Sequence, residues 1–577
     1  MIATNQKVSI PGVRAENELL LNCVRPGTDS EAAAKIRQLV QGDLDWARLL
    51  RNAQHHGLLP LLAYQLARIG PGAVPTAWSD CLSDYCRRTE TGGRRAISEL
   101  SRILRLFDAN DIAACTFRGP ALAASLYGHT AFREFNALNV MVPRQSLFKA
   151  KALLLQDGYR PARTFTPGQE LAQVRFQCSY RLDRPSDRVH VWLHTHIDPD
   201  SFFASLDLNR LSHRLEAISV DGNEVTTLSS EDLLITLCAY LVQPDPPRLC
   251  ALSDIAKLVA ARRAMDWEDV LHRSRALGVR RRLFAGLLLA SDLLGADVPQ
   301  RVALQVQTDS TARRIAGDLA GRLFLERTSP SGVRERIRFH VMARERSRDR
   351  ILFCCRMVFT PTESDWCAVR LPALCCSLYR LVRPARLAGA LVGLFPRGDL
   401  APFMPAPIEA VERMLTVAEV RPSDVVYDIG SGDGRIVIMA AKRYGARGIG
   451  IDIDAGRIAE AEANAHQEGV QHLVHFVHRN AVEMDLSAAT VVMLYLGAAA
   501  NLLLRPKLQN NLRPGTRVVS LAYDMADWTP VRAELVPHDS GVSQVFMWRI
   551  GENGARPLNS PIATEVEASA RASSNRG

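Results

Sequence analysis

The chain has 577 residues and a mass of 63.7 kDa, too long for one hydrophobic core, so three or four domain-sized units are expected. Its 47% apolar and 23% charged residues are those of a soluble globular protein and exclude a disordered polyelectrolyte. The net charge of +10 is unevenly placed, since residues 401–577 carry 17 basic and 20 acidic side chains and the basic excess falls in residues 1–400.

That excess is almost entirely arginine, clustered at Arg280–Arg282 and over Arg334–Arg350. Such runs suit nucleic acid or anionic lipid, but Glu335, Glu345 and Asp349 interrupt the second one, and only Phe339 is on offer for base stacking. A solvated helix face is the plainer reading, with a single helix expected over Arg334–Phe353. All twelve cysteines precede residue 377 and none forms a C-x-x-C pair, so neither a disulfide framework nor a zinc ribbon is indicated. With no signal-peptide pattern after Met1 and no apolar run near twenty residues, a reducing cytoplasmic location is expected. The longest apolar candidate, Leu387–Phe395, is too short to span a bilayer; a buried or interfacial helix is expected, with peripheral membrane contact left open.

In chain order, residues 17–115 read as helices, with apolar residues at helical spacing through Leu39–Leu66 and Ile97–Phe107 and breaks at Pro60, Gly70 and Pro75. His55 and His56 lack acidic or thiol neighbours and are expected to cap a helix end rather than bind metal. The texture then changes. A strand over Ala113–Phe117 enters Gly119 and Pro120, a helix follows over Ala121–Tyr127, and REFNALNVMV (Arg133–Val142) reads as a second strand before a helix over Gln145–Gly158. With the phrases HGLLP (His56–Pro60), GPAL (Gly119–Leu122), SDIA (Ser253–Ala256) and RPARL (Arg383–Leu387), this layout resembles a family of bacterial nucleotidyltransferase-like proteins over residues 19–396. The resemblance implies an α+β core at about 95–215 with helical flanks at 17–94 and 229–395.

That chemistry needs two acids on one face of a strand and a third on a neighbour, to hold Mg²⁺ against a triphosphate. The resemblance places them at Ala137, Asn139 and Trp192, so all three carboxylates are missing and a degenerate fold is expected. One alternative keeps the activity with acids from elsewhere, such as Glu134. Another gathers His190, His194 and His196 with Asp198 and Asp200 around a metal, although an extended strand would hold His190 and His194 ~13 Å apart. Helices are then expected over Leu233–Leu241, Ser253–Ala261, Trp267–Leu277 and Arg281–Leu294, and Phe395–Pro402 reads as a linker.

The C-terminal part is organised around VVYDIGSGDGR (Val425–Arg435) and GIGIDID (Gly448–Asp454). This predicts a buried strand, a glycine bend, a helix over Ile436–Tyr444 and a second strand delivering Asp452 about two dozen residues after Asp428. A pyrophosphate would be repelled by the leading acid Asp428; a ligand with a cationic end would be welcomed. From Pro402 to Ile550 the pattern closely resembles class I S-adenosylmethionine (SAM)-dependent methyltransferases, including small enzymes that modify protein lysines. The resemblance implies an α/β Rossmann-like fold at 396–550, a mostly parallel seven-stranded sheet, and a tail at 551–577 whose small polar composition predicts disorder.

It further implies that Asp428 meets the methionine end of SAM, that Gly430, Ser431, Gly432 and Gly434 lie against it, that Asp452 and Ile453 meet the ribose, and that Asn480 and Ala481 flank adenine. Ala406 and Asn480 depart from the family's usual Thr and acid. The strand Thr490–Leu496 runs into Gly497, Ala498 and Ala499, lacking the Asp/Asn-Pro-Pro-aromatic string of enzymes that methylate amide or base nitrogens. Tyr495, Tyr523, Asp524 and Trp528 are candidates for the acceptor pocket, each with a structural role equally open. The expected function is SAM-dependent methyl transfer, with a protein lysine as the acceptor class the resemblance implies and the N-terminal part positioning substrate. A non-catalytic scaffold is the competing reading.

Overall fold

The computed structural model describes residues 8–551 except 11, 27–29, 71, 73, 136, 162–164, 178, 185–188, 198–205, 221, 326–332, 363–364, 367–368, 370, 392–403, 527 and 539–540. The expected linker at 395–402, Asp198, Asp200 and the tail beyond Gly551 lie outside the described residues. Two compact units divide at residues 396 and 397.

The N-terminal unit is built on a seven-stranded mixed sheet. Its strands are β1 (Cys115–Thr116), β2 (Leu138–Met141), β3 (Arg160–Pro161), β4 (Ser179–Arg184), β5 (Val189–His194), β8 (Leu215–Val220) and β9 (Asn223–Leu228) in the order β3-β4-β5-β2-β1-β9-β8; β6 (His196–Ile197) and β7 (Leu206–Asp207) pair separately. One face is covered by apolar residues of the 33-residue helix Thr76–Asp108, among them Leu100, Ile103 and Phe107, which meet Val140, Val191 and Leu193. Gly119 at φ 85° makes the sharp entry into Pro120–Tyr127, where Pro120 suits the first helical turn. His56 closes the helix Trp46–His55; buried, it is pushed down to about 3, stays neutral, and accepts from the Leu249 amide through Nδ1 at 3.2 Å.

Downstream lie helices at Ser230–Leu241, Leu249–Ala261, Trp267–Leu277 and Arg280–Leu294. The expected single helix over Arg334–Phe353 is two, Val333–Ala343 and Ser347–Phe359. The chain breaks because Arg344 turns inward: 1% exposed, it stacks 4.0 Å over Phe353 and donates to the His340 carbonyl at 2.6 Å, while Arg346 is extended. The solvated-face reading therefore fails at Arg344, a cation that the apolar periodicity cannot distinguish from its exposed neighbours. The Leu387–Phe395 segment belongs to a helix, Tyr379–Leu391, as far as it is described.

The C-terminal unit is a doubly wound sheet of β10 (Val425–Ile429), β11 (Arg447–Asp452), β12 (Val474–His478), β13 (Val491–Leu494), β14 (Arg517–Leu521), β15 (Arg532–His538) and β16 (Gly541–Arg549), in the order β12-β11-β10-β13-β14-β16-β15. Strands β10–β14 are parallel, and β16 and β15 close the sheet antiparallel, the arrangement the resemblance implied. Central strands bury both faces: Val491 and Met493 pack under the helix Ile408–Val417, and Val492 and Leu494 face Leu504 and Leu508 of the helix Ala498–Asn511. Their continuous apolar sequence follows from that double burial. Among the described residues no helix is long and apolar enough to cross a membrane.

Candidate active site

The carboxyl ends of β10, β11, β13 and β14 converge on one edge of the C-terminal sheet, where ligands bind in folds of this topology. The loop after β10 turns back at once: the Gly430 and Ser431 amides both donate to the Ile451 carbonyl, at 2.8 and 3.0 Å. Gly430, Gly432 and Gly434 take φ of 77°, 54° and 80°, a region costly to any side chain. A Cβ on Gly434 would stand 2.7 Å from the Phe476 ring, and one on Gly430 would strike Leu496. At these two positions glycine answers the bend and the packing of protein on protein, a reason the spacing alone did not disclose.

Asp428 is 2% exposed and takes no hydrogen bond from any described residue. Burial, with Asp452 and Asp433 nearby, pushes it up to about 8. Ser431 Oγ is likewise buried without a partner among the described residues. A buried acid and a buried hydroxyl left unsatisfied at a sheet edge are costly unless a ligand completes them. Asp452 is held in place by two amides, Gly432 N–H at 2.9 Å and Asp454 N–H at 2.9 Å, one on each oxygen. Asp454 caps the helix Ala455–Gln467. Ile453 is 42% exposed, and its carbonyl meets His478 Nε2 at 2.9 Å. Asn480 is exposed, its Oδ1 accepting from the Val482 amide at 3.1 Å, and Ala481 is buried beside it. The donor set suits SAM: an acid seeking a cation, and a second acid oriented for hydroxyls.

At the ends of β13 and β14 the Tyr495 and Tyr523 rings stand 6.5 Å apart, tilted by 30°. Burial and the neighbouring phenol push Tyr495 up to about 12, so it keeps its proton at neutral pH. Asp524 is exposed and accepts from the Ala526 amide at 3.2 Å. Trp528 does not join them: it is 2% exposed, its carbonyl receives Trp548 Nε1 at 3.0 Å, and the two indoles pack in the core. Sequence reasoning missed Asn501. Fully buried, it donates through Nδ2 to Ser520 Oγ at 2.9 Å and to the carbonyls of Tyr523 and Asp524 at 3.1 and 3.3 Å, fixing the turn that carries both candidates. Ala522 and Ala526, which bracket that turn, both sit at positive φ.

In the N-terminal unit β2 and β5 run parallel with Asn139 opposite Trp192. His194 Nε2 meets Asn139 Oδ1 at 3.1 Å, and burial together with Arg118 pushes this imidazole down to about 4. Arg118 stacks 4.5 Å over Tyr240. His190 pairs with Asp183 at 2.8 Å, so the two histidines of β5 have separate partners. Among the described residues no group of three His, Cys, Asp or Glu could hold a metal ion. Glu134, pushed up to about 6 by burial, is bonded to Tyr85 at 2.8 Å. Asp254 of the SDIA phrase receives Arg133 through Nε and Nη2 at 2.8 and 2.7 Å and Tyr127 at 2.9 Å, so this signature residue is structural.

Residues 428–532 match the family described as the ANTKMT methyltransferase domain, and residues 42–295 match that described as an uncharacterised nucleotidyltransferase. A protein-lysine N-methyltransferase of Saccharolobus islandicus is 41% identical over 153 residues, spanning 26% of this chain and 95% of the relative. The chain belongs to the SAM-dependent methyltransferases. An adenine nucleotide translocase lysine N-methyltransferase of Mus musculus is 30% identical over 174 residues, 30% of this chain and 72% of that protein. A solved RNA methyltransferase of Salinibacter ruber with S-adenosyl-L-homocysteine is 46% identical, covering 27% of this chain and 100% of its own, with a TM-score of 0.25. The methyltransferase unit, as a member of that family, uses SAM, and the nucleotidyltransferase-like unit precedes it.

Proposed function

We propose that the methyltransferase unit transfers the methyl group of SAM to the ε-amine of a protein lysine. The observation that carries this is the match to the archaeal protein-lysine N-methyltransferase, which extends over almost all of that relative. SAM supplies a methyl group already activated by its sulfonium, so the protein's task is chiefly to bind and align. Asp428 would hold the α-ammonium of its methionine end, Asp452 the ribose hydroxyls, and Asn480 and Ala481 the adenine edge. Asn480 retains one lone pair on Oδ1 beyond the Val482 bond, enough to accept from an amino group.

Tyr495 and Tyr523, paired at the ends of β13 and β14, would form one aromatic wall of an acceptor site that suits a lysine. That wall would strip water from one side of the alkyl stem and attract the cation as it enters, while the exposed carboxylate of Asp524 steers it from outside. Partial burial lowers the amine's pKa toward neutrality and frees the lone pair for attack. Tyr495, protonated throughout, serves as a wall and hydrogen-bonding partner.

The N-terminal unit, by the same reasoning, performs no metal-dependent phosphoryl transfer and serves to recruit or position substrate. Ala137, Asn139 and Trp192 supply no carboxylate, and the Arg118 guanidinium adds positive charge beside His194. Tritiated SAM, the full chain and a cell lysate test the main reading. Label in protease-sensitive material that hydrolyses to methyl-lysine is expected; label in RNA, or none despite SAM binding, refutes it.

A further inference from the structure

In the N-terminal unit, the helices Arg280–Leu294, Ser310–Arg322, Val333–Ala343 and Ser347–Phe359 line an open cavity of about 510 Å³. Its lining includes five arginines, Arg281, Arg314, Arg334, Arg338 and Arg350, with Thr311 and no acidic residue. Ile337, Val341 and Met342 give it an apolar side. All of these but Arg281 lie beyond the segment that matches the nucleotidyltransferase family.

The cations are of two kinds. Arg281 donates to the carbonyls of Met342 and Arg344 at 3.3 and 2.8 Å, and Arg350 donates to the Arg344 carbonyl at 3.1 Å, so the helix break at 344–346 anchors both. Asp309, 3.4 Å from Arg281 Nε, and Glu345, bonded to the Arg281 amide, belong to this anchored side. Arg314 donates to Met342 Sδ at 2.9 Å, and Arg314, Arg334 and Arg338 form no ion pair with any described residue. Arg334 and Arg338 sit four apart on one helix, where like charges repel and weaken the helix unless an anion lies between them. Anchored donors together with cations that have no acidic partner make a receptor for concentrated negative charge.

We propose that this cavity binds a compact oligophosphate, two or more linked phosphates as in a nucleoside triphosphate or inorganic tripolyphosphate. Its volume is that of a small-molecule site, and no aromatic side chain lines it to stack the bases of a polynucleotide. The inference is independent of the acceptor assigned to the methyltransferase unit.

Calorimetric titration of the full chain with tripolyphosphate and with ATP tests it, wild type against R334A/R338A, two exposed positions whose loss leaves the core intact. Saturable binding of tripolyphosphate, weakened at least tenfold in the variant with an unchanged melting temperature, is expected. Equal affinity for ATP supports recognition of phosphate alone, and tighter ATP binding supports contact of the nucleoside with Ile337, Val341 and Met342. No binding, binding indifferent to the two substitutions, or displacement of tripolyphosphate by far lower concentrations of a single-stranded oligonucleotide would overturn the proposal.

Discussion

If Asp428 holds the α-ammonium as proposed, SAM affinity rises with pH over 6–8, a window in which an ordinary aspartate, already ionised, would leave it flat. With its carboxyl pushed up to about 8 by burial and by Asp452 and Asp433, the ligand-free site is largely protonated at neutral pH, whereas a bound ammonium needs the carboxylate. At pH 6 about 1% of the molecules carry the competent charge, so the apparent Kd is about 100 times weaker than the intrinsic one, about 2.7 kcal/mol. Affinity therefore rises about tenfold per pH unit from 6 toward 8, with release of about one proton, and bends over near 8 where an α-amino group of pKa about 7.7–8.0 loses its own proton. Calorimetry of the full chain in two buffers of different ionisation enthalpy reads both quantities. Asp428→Asn should bind weakly and with a flat profile over pH 6–8. A wild-type Kd constant within about twofold over that range, or a variant keeping the wild-type slope, refutes the reasoning.

The same group bears on stability. Native Asp428 keeps its proton to about 8 while an unfolded aspartate loses it near 3.8, so ligand-free protein loses stability as pH rises across that window; the gap in unfolding midpoint between D428N and wild type should widen from pH 5 to 8. Asp452→Ala removes the proposed ribose acceptor and orphans two amides, and SAM binding should weaken by about 2–4 kcal/mol by titration. Gly434→Ala meets Phe476 at positive φ and should lower stability by about 2–4 kcal/mol in denaturant unfolding, with little rescue by any larger residue. In the N-terminal unit, Asp254→Ala strands the buried Arg133 and should cost about 3–5 kcal/mol, seen as a fall in melting temperature, without touching SAM affinity.

Where a residue type is forced by local geometry, the sequence was legible. The glycine bend, the strand before it and the acid closing β11 are dictated by backbone conformation within thirty residues, and they stand as expected. Asn501 was not legible because its three partners lie about twenty residues away on another strand and its turn, and nothing in its own helix marks it. Trp528 shows the reverse: an aromatic near the acceptor edge in sequence is held in the core by Trp548, a contact only β16 can supply. Arg344 escaped for a third reason. A buried guanidinium held by a carbonyl and a ring resembles its exposed neighbours in every linear property.

The positions of Asp428 and Asp452 also bear on turnover. As assigned, both acids address the amine and the sugar, which are unchanged when the methyl group departs; only the sulfur loses its charge. The spent nucleoside keeps both handles by which the donor is gripped, so it should leave reluctantly and compete with fresh donor. The pace of catalysis would then follow the cellular ratio of donor to its demethylated form, and an enzyme that hydrolyses the latter would act as an accelerator.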